Sequence, residues 1–405
     1  MNPTNPIDRI NRANGTDPNW ITFMELCDPF RPAISDLPSE EGWHTISRLA
    51  NLHGVSPFFF YRTRSLEISL PHEIKKRWLE SHLLQIAREE RARYQIKELA
   101  GTLGSEGVRF ILLKGASAIL RLYPETGLRS FYDLDIMIRE ESVSQFKRAM
   151  MKLGYKPSAT LTSPEDEDLQ RFEGHLDPLR KEDGLMIEAH VSILGRKGNY
   201  RVSLSEIWQG REKTDQGEMS VEHLGKEHFL IHMFLHWRKD LIYNGFVSIK
   251  GLVDVLYALK TWRIDWTKWM DAVRRWNVEK EIIPVVATMN HHWQAAIPLP
   301  GEAKPLGLGT LLSGAGTRGK NGYSRVPGDP IERLLLVRQL PDAASRIRYV
   351  FHLVLPPQEN LRRRFNLPPT RSAVPYYLPY ILVTSGRLAT GLWHRFRHRG
   401  EYEIF

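Results

Sequence analysis

Two aspartates one residue apart carry the clearest chemical signal in this 405-residue chain. Asp133 and Asp135 lie in a short run, residues 131–138, whose composition favours a β-strand. Because alternate residues of a strand share a face, both carboxylates point to one side, while Leu134 and Ile136 point into a core. Two such charges repel each other, and their hard oxygens suit Mg²⁺ or Mn²⁺. We therefore interpret the pair as part of a cation site, against the simpler alternative of a solvated strand edge.

A second strand-like run, residues 184–193, supplies a third acid. Glu188 and His190 share one face of this run, and Glu188 joins Asp133 and Asp135 if the two strands are neighbours. Three carboxylates can hold two divalent ions, an arrangement that serves phosphoryl or nucleotidyl transfer. One ion lowers the pKa of an attacking hydroxyl, and the other neutralises a triphosphate and its leaving pyrophosphate. The alternatives are an edge-strand acid at Glu188 and a packing or hydrogen-bonding role for His190.

An element suited to phosphate precedes the aspartates. The apolar run at residues 108–113 ends at Lys114-Gly115, where a helix begins. The helix N-terminus offers unpaired N–H groups, Gly115 allows close approach, and Lys114 can pair with a phosphate oxygen. Arg129, four residues before Asp133, is placed to contact a triphosphate, unless it is an ordinary loop arginine. With one glycine and no Lys-Ser or Lys-Thr pair, the motif differs from a P-loop.

The order of these parts resembles a known superfamily. Strand, Lys-Gly, helix, loop arginine, Asp-x-Asp strand, helix and a strand with a third acid resemble the nucleotidyltransferases that share the fold of DNA polymerase β. More narrowly, the chain looks like the poorly characterised bacterial "nucleotidyltransferase family" proteins over roughly residues 20–300, including His232 to Asp254. The segments that carry this resemblance are Leu113–Ala118, Tyr123–Arg129, Asp133–Asp135 and Ile187–His190.

The resemblance implies an α+β fold, in which a polymerase-β-like core with a small mixed sheet is flanked by N- and C-terminal helical regions. It also implies transfer of a nucleoside monophosphate from an NTP to an acceptor hydroxyl or phosphate, with Mg²⁺ or Mn²⁺ as cofactor. The acceptor, whether small molecule, protein or RNA, is not indicated. The catalytic and metal-binding residues implied are Asp133, Asp135 and Glu188. The nucleotide-binding residues implied are Lys114, Gly115, Arg129 and Ser130, and the auxiliary residues are His190 and His175.

Helical periodicity frames this core on both sides. Apolar residues recur at helical spacing from residue 18 to about 100 and from 221 to about 290, whereas residues 297–328 are rich in glycine and proline. Nothing in the first helical region suggests chemistry. The sequence therefore predicts an N-terminal helical cap at 1–103, a nucleotidyltransferase core at 104–216, a helical domain at 217–296, a linker with a short helix at 297–344 and a basic aromatic tail at 345–405.

The net charge of +9 is concentrated near the C-terminal end of the chain. Residues 346–399 contain ten arginines, no lysine and one acid, so this span alone accounts for the whole excess. A neutral body with a cationic tail indicates contact with phosphate, on an anionic membrane surface or on RNA. The aromatic and apolar residues between 376 and 398 are compatible with a lipid interface, an RNA contact, or a terminal helix packed on the body.

The composition also indicates a compartment. A single cysteine, Cys27, excludes an internal disulfide and a cysteine-based zinc site, which fits a reducing environment. The first residues lack the cationic and apolar pattern of a signal peptide. No uninterrupted apolar stretch reaches the length of about 18 residues that a membrane span needs. We therefore expect a cytoplasmic protein whose tail can reach the inner face of the membrane.

Two other functions compete with nucleotidyl transfer. Metal-dependent glycosyltransferases also use Asp-x-Asp, but they place an α/β nucleotide-binding half before the motif, where this chain has a helical region. A non-catalytic module of the same fold would bind a nucleotide, or be held on a membrane or RNA by the tail. The presence of three acids together argues against lost chemistry.

Overall fold

The computed structural model describes residues 17–157, 174–194, 200–216, 219–244 and 248–306, together with individual residues between 343 and 385. Two compact units divide the chain. The first comprises Met1–Lys156, Pro178–Leu194 and Tyr200–Lys320, and the second comprises Pro157–Asp177, Gly195–Asn199 and Asn321–Phe405. The two acid-bearing strands, the Lys-Gly element and the arginine loop all lie in the first unit.

Four helices form the N-terminal part of the first unit. They are α1 (Pro18–Cys27), α2 (Glu40–His53), α3 (Ser56–Ser65) and α4 (His72–Ser105). Side-chain caps explain where two of them begin, because the Asp17 carboxylate accepts a hydrogen bond from the Asn19 amide and the Ser39 hydroxyl accepts one from Gly42. α2 ends at Gly54, whose φ of +67° is a left-handed conformation that suits glycine. The helical prediction for this segment is confirmed.

A seven-stranded mixed sheet follows the N-terminal helices. Its strands are β1 (Phe110–Leu112), β2 (Asp133–Ile138), β3 (Lys156–Pro157), β4 (Leu179–Arg180), β5 (Met186–His190), β6 (Glu212–Gln216) and β7 (Met219–His223). Their order is β3-β4-β5-β2-β1-β7-β6, with β2 antiparallel to β1 and parallel to β5. The predicted α+β fold with a mixed sheet is therefore confirmed.

The sheet extends beyond the three predicted strands at both ends, by β3 and β4 on one side and by β7 and β6 on the other. The predicted strands at 108–113, 131–138 and 184–193 form in shorter lengths as β1, β2 and β5. The strands β3, β4, β6 and β7 are not predicted, and β7 includes residues 221–223, where the helical prediction is wrong. β7 pairs in parallel with β1 and antiparallel with β6, and these long-range partners cannot be recognised from the local residues.

Seven further helices lie in the described part of the first unit. They are α5 (Lys114–Arg121), α6 (Val143–Lys152, after a 3₁₀ turn at Glu140–Ser142), α7 (Leu204–Gln209), α8 (Lys226–Asn244), α9 (Lys250–Thr261), α10 (Trp266–Arg275) and α11 (Glu279–Trp293). One apolar core contains side chains from the N-terminal helices, from the sheet and from these later helices, such as Trp78, Met137 and Trp269. Each large apolar side chain buried there stabilises the fold by about 1.5–3 kcal/mol. The strands that carry the acids are thereby anchored in the interior.

The long helix α4 fixes the loop that leads into β2. Gly127, in that loop, donates its amide hydrogen to Glu89 Oε2 over 2.9 Å, and its carbonyl oxygen lies 3.2 Å from His82 Nδ1. Its φ is +82°, and a Cβ at this position would lie 3.0 Å from the backbone nitrogen of Ile86. Glycine is required because the loop backbone packs directly on the helix.

The same helix also fixes the start of β5. The side-chain amide of Gln95 accepts a hydrogen bond from the Leu185 amide over 2.9 Å and donates one to the Leu185 carbonyl over 2.8 Å. Gln85 accepts a longer bond, 3.4 Å, from the amide of Phe131. These glutamines are buried, so their paired amides contribute more than exposed ones would. Thus α4, for which the sequence suggests no chemistry, positions both approaches to the acid-bearing strands.

The second unit is described only in part. A 3₁₀ turn at Val374–Tyr376 lies in it, with the Tyr376 ring 5.0 Å from the Phe365 ring and 5.9 Å from the Arg371 guanidinium carbon. Residues 307–342 and 386–405 fall outside the described residues, so most of the predicted linker and tail stays a prediction. Among the helices that are described, none has the length and apolar character needed to cross a bilayer.

Candidate active site

The register of two parallel strands brings three predicted side chains to one face. In the β2–β5 pair, Asp135 lies beside Glu188 and Met137 lies beside His190. The residues that alternate with them, such as Leu134 and Ala189, are fully buried in the core. The acids therefore project from a sheet whose other face is apolar, as the alternation of the sequence predicts.

Three of these side chains form a compact group of potential ligands. Asp135, Glu188 and His190 can each offer one ligand atom, and these atoms lie within 4.8 Å of one another. Two carboxylate oxygens and an imidazole nitrogen form a donor set that suits a divalent cation. Asp133 lies two residues earlier on β2 and is half-buried, and it is not part of this group.

One oxygen of Asp135 already has two polar partners. Lys114 Nζ lies 2.7 Å and His190 Nε2 lies 2.8 Å from Asp135 Oδ1. Lys114 is the first residue of α5, and its φ of +42° is unusual for a residue other than glycine. The preceding residue, Leu113, donates its amide hydrogen to the Asp135 carbonyl over 2.9 Å. The strand-to-helix junction is therefore tied to the acid strand by both backbone and side chain.

The surroundings shift the pKa values of Asp133 and Asp135 in opposite directions. The pKa of Asp133 is raised to about 6, first by burial and then by the charges of Asp135 and Glu188. Burial also acts to raise the pKa of Asp135, but Lys114 and His190 outweigh it and hold that pKa well below its ordinary value. Negative charge at Asp133 is thus destabilised by its acidic neighbours. The concentration of negative charge at these carboxylates is a second reason why the residues fit a bound divalent cation.

Arg129 lies beside the acids, but its guanidinium has another partner. Its Nε and Nη2 atoms donate to the carboxylate of Asp254 on α9 over 2.8–2.9 Å, and Tyr123 donates its hydroxyl hydrogen to the same carboxylate over 2.6 Å. Both members of the ion pair are buried. Although burial opposes it, Asp254 raises the pKa of Arg129 above its ordinary value. The predicted contact between Arg129 and a triphosphate therefore stays a prediction.

Gly115 and Ser130 surround that arginine. A Cβ on Gly115 would overlap Nη1 of Arg129 and would lie 3.0 Å from its Cζ, so the absence of a side chain makes room for the guanidinium. The Ser130 carbonyl accepts a hydrogen bond from the same Nη1 over 3.2 Å, and Ser130 itself is buried. The group that lies close to Gly115 in the structure is thus Arg129, and the approach of a phosphate to Gly115 stays a prediction.

Lys250 at the start of α9 is a candidate residue that the sequence reasoning missed. Among the described residues its ammonium has no hydrogen-bond or ion-pair partner, and it lies 5.8 Å from the centre of the Tyr132 ring. Burial, then Arg129, lowers the pKa of Lys250, while Asp133 and Asp135 oppose that shift. The signal available in the sequence was its spacing of four residues from Asp254, which places both on one face of a helix.

Two further histidines, His232 and His175, belong to different units of the chain. His232 on α8 is buried, its Nδ1 has no hydrogen-bond partner among the described residues, and its pKa is well below its ordinary value because of burial and then Lys114. His175 belongs to the second compact unit, where its Nδ1 lies 3.4 Å from the Leu176 carbonyl oxygen. The auxiliary role of His175 therefore stays a prediction.

A comparison of the sequence with known protein families defines the class to which this chain belongs, that of the nucleotidyltransferases. Residues 39–294, more than half of the chain, match the protein family described as "Uncharacterised nucleotidyltransferase". The chain belongs to this family. The match includes all the predicted site residues, from Lys114 to His190, and the α9 pair Lys250 and Asp254.

Solved structures and curated proteins give weaker likenesses. The chain is similar to the antibiotic-resistance factor ANT(2'')-Ia in solution, with 12% identity, a TM-score of 0.31 and coverage of 53% of this chain and 98% of that chain. It is also similar to an antigenic nucleotidyltransferase-like protein from Paracoccidioides brasiliensis, with 13% identity, a TM-score of 0.32 and coverage of 52% and 95%. At these scores the likenesses add nothing to the family match. No curated protein matches the chain significantly.

Proposed function

We propose that this protein transfers a nucleoside monophosphate from an NTP to an acceptor hydroxyl or phosphate, with Mg²⁺ or Mn²⁺ as cofactor. The observation that carries the proposal is the group of ligand atoms from Asp135, Glu188 and His190, within 4.8 Å of one another, beside the lysine that opens α5. Membership of a nucleotidyltransferase family supports the same chemistry. The acceptor is not identified by either observation.

Asp133, Asp135 and Glu188 would hold the metal, with His190 as an auxiliary ligand or a partner of Asp135. When bound, divalent ions neutralise the triphosphate and lower the pKa of the attacking hydroxyl. The protein supplies the fixed framework for them. Asp135 and Glu188 are neighbours in the β2–β5 ladder, so the distance between their backbones cannot change without breaking the sheet.

The chain also supplies positive charge for the phosphates. Lys114 at the start of α5 is the predicted contact, and Gly115 and Ser130 lie next to it around Arg129. We propose that Lys250, which has no acidic partner among the described residues, contacts the triphosphate as well. Arg129 would then act chiefly by fixing α9, and with it Lys250, through its buried pair with Asp254.

A labelling experiment tests the proposal directly. The full chain is incubated with each α-³²P-labelled NTP and Mn²⁺, with cell extract as the source of acceptor, and labelled protein, RNA and small molecules are separated. We expect a labelled product with the wild-type chain and at least a hundredfold less with Asp135→Asn. Asp183→Asn makes the same change in an exposed turn and should behave as the wild type. Equal labelling by Asp135→Asn, with an unchanged circular dichroism spectrum, would refute the proposed site.

A further inference from the structure

An exposed tyrosine next to the acids has two cationic side chains near its ring. Tyr132, which directly precedes Asp133, is 59% exposed, a large fraction for an aromatic residue. The guanidinium carbon of Arg88, on α4, lies 4.6 Å from the centre of its ring. Lys250 Nζ lies 5.8 Å from the same centre. These distances are those of cation–π contacts, so the ring holds both positive charges beside it.

Neither cation has an acidic partner among the described residues. The contrast with their neighbours is clear, because Arg93 on the same helix pairs with Glu89 at 2.7 Å, and Arg129 pairs with Asp254 at 2.8 Å. A cation–π contact leaves the N–H donors of a guanidinium free to bind an anion in the plane of the group. Arg88 therefore presents its positive charge without an ion-pair partner, whereas Lys250 makes no direct ion pair but interacts with the charges of Asp133, Asp254 and Asp135.

Exposure to solvent increases along the chain from the acids to Tyr132. Asp135 is buried, Asp133 is half-buried, and Tyr132 is exposed. Lys250 contacts the ring, and its charge also interacts with those of Asp133 and Asp135, whereas no such interaction links Arg88 to the acids. Arg88 contacts the ring from α4, the helix that holds the preceding loop at Gly127. A nucleotide bound at the acids would use Lys250, which leaves Arg88 and Tyr132 for a second molecule.

We propose that Arg88 and Tyr132 form the acceptor-binding site and that the acceptor carries a phosphate group near its reacting hydroxyl. This inference rests on the proposed nucleotidyl transfer. Arg88 would bind the phosphate through two N–H donors, and the open part of the Tyr132 ring would contact the adjoining sugar or base. The acceptor oxygen then forms a bond to the α-phosphorus of the NTP, the bond from that phosphorus to the bridging oxygen breaks, pyrophosphate leaves, and the hydroxyl proton passes to solvent.

Calorimetry with paired probes tests this site. The full chain is first saturated with α,β-methylene-ATP and Ca²⁺ and then titrated with AMP or with adenosine, which differ only in the phosphate. We expect AMP to bind at least tenfold more tightly than adenosine. Arg88→Gln should weaken AMP binding at least tenfold and leave binding of the ATP analogue unchanged. Arg91→Gln removes the same charge from an exposed position on α4 and should change neither affinity.

The outcomes separate this inference from the function on which it rests. Equal affinities for AMP and adenosine would overturn the inference. An Arg88→Gln variant that loses affinity for the ATP analogue as strongly as for AMP would also overturn it, because the arginine would then bind the donor nucleotide. Failure of the wild-type chain to bind the analogue would count against the proposed function instead. AMP is therefore also titrated without the analogue, where a tenfold loss in Arg88→Gln supports the phosphate site and no loss overturns it.

Discussion

A single oxygen, Oδ1 of Asp135, determines how the residues around it behave. It accepts contacts from Lys114 Nζ and His190 Nε2 within 2.8 Å, and it belongs to one of the three side chains that could hold a cation. A metal ion that binds there must share or displace the ammonium. Lys114 thus neutralises the acid in the absence of metal and competes with the metal when it arrives.

Removal of that ammonium is expected to strengthen metal binding. Lys114→Met keeps the apolar stem but leaves Asp135 without its cation, and two unit charges at this distance interact by about 6 kcal/mol at an effective dielectric constant of about 20. We expect Mn²⁺ to bind at least tenfold more tightly and ATP more weakly. The free Mn²⁺ signal in electron paramagnetic resonance measures the first, and calorimetry the second.

A second lysine–carboxylate pair provides the control. Lys181 Nζ lies 2.8 Å from Glu98 Oε1, and neither residue belongs to the group of potential ligands. Lys181→Met should leave the Mn²⁺ affinity unchanged. Weaker or unaltered Mn²⁺ binding in Lys114→Met would mean that Asp135 does not ligate the ion.

Replacing glycine by alanine is expected to destabilise the protein at Gly115 and to stabilise it at Gly101. In Gly115→Ala the new Cβ overlaps the Arg129 guanidinium, which must move from its buried pair with Asp254. We expect a loss of about 1–3 kcal/mol in the free energy of unfolding, measured by urea denaturation. Gly101, inside α4, has nothing within 4 Å of an added Cβ, so Gly101→Ala should stabilise by about 0.5–1 kcal/mol. A Gly115→Ala variant as stable as the wild type would show that the guanidinium is free to shift.

At the scale of elements, the sequence predicts those parts whose signal is local. The alternation around Asp133 and Glu188 predicts β2 and β5, and their register on one face follows from the period of a strand. The polar residues on the buried face of α4, by contrast, have partners 38 to 90 residues away, such as the Glu89–Gly127 and Gln95–Leu185 pairs. Helical periodicity indicates which face is buried, but it does not indicate what that face contacts.

The unpredicted strand β7 contacts α5 through a histidine that should make the stability of the folded protein depend on pH. His223 at its end is fully buried, and its Nδ1 lies 3.0 Å from the Ser117 hydroxyl on α5. Burial, and then the charge of Arg121, lowers the pKa of His223 to about 3. The folded protein therefore holds this imidazole neutral, whereas the unfolded chain protonates it below about pH 6.5. The stability due to the neutral form is present above pH 6.5 and is lost as the pH falls towards 3.

His223→Gln removes this titration and should flatten the acid side of the stability curve. We expect the wild type to lose roughly 1.4 kcal/mol more per pH unit than the variant between pH 6 and 4, in urea denaturation at each pH. His72→Gln, at an exposed position on α4, is the matched control and should follow the wild type. Parallel curves for the wild type and His223→Gln would show that His223 takes up its proton in the folded state as readily as in the unfolded chain.

At the scale of the whole molecule, the charge is divided unevenly between the two ends of the chain. The family match covers residues 39–294, whereas the ten arginines that account for the net charge lie between 346 and 399. The ten arginines therefore lie outside the part of the chain that the family match covers. A cationic segment of this kind is expected to bind a phosphate-bearing polyanion and to concentrate the protein at that surface.

Neutralising part of that segment in the full chain tests this expectation. Each arginine near an anionic surface contributes about 1 kcal/mol, so replacing four should weaken binding by several orders of magnitude at low salt. Co-sedimentation is measured with phosphatidylserine vesicles, with neutral vesicles and with single-stranded RNA, and the two anionic arms distinguish a membrane from RNA. The residues changed to Gln are Arg387, Arg395, Arg397 and Arg399, and the control of equal net charge changes Arg48, Arg77, Arg91 and Arg263. Equal binding by the two variants would mean that the arginines of the tail contribute no more to binding than those of the body. The tail would then have a structural role rather than bind a partner.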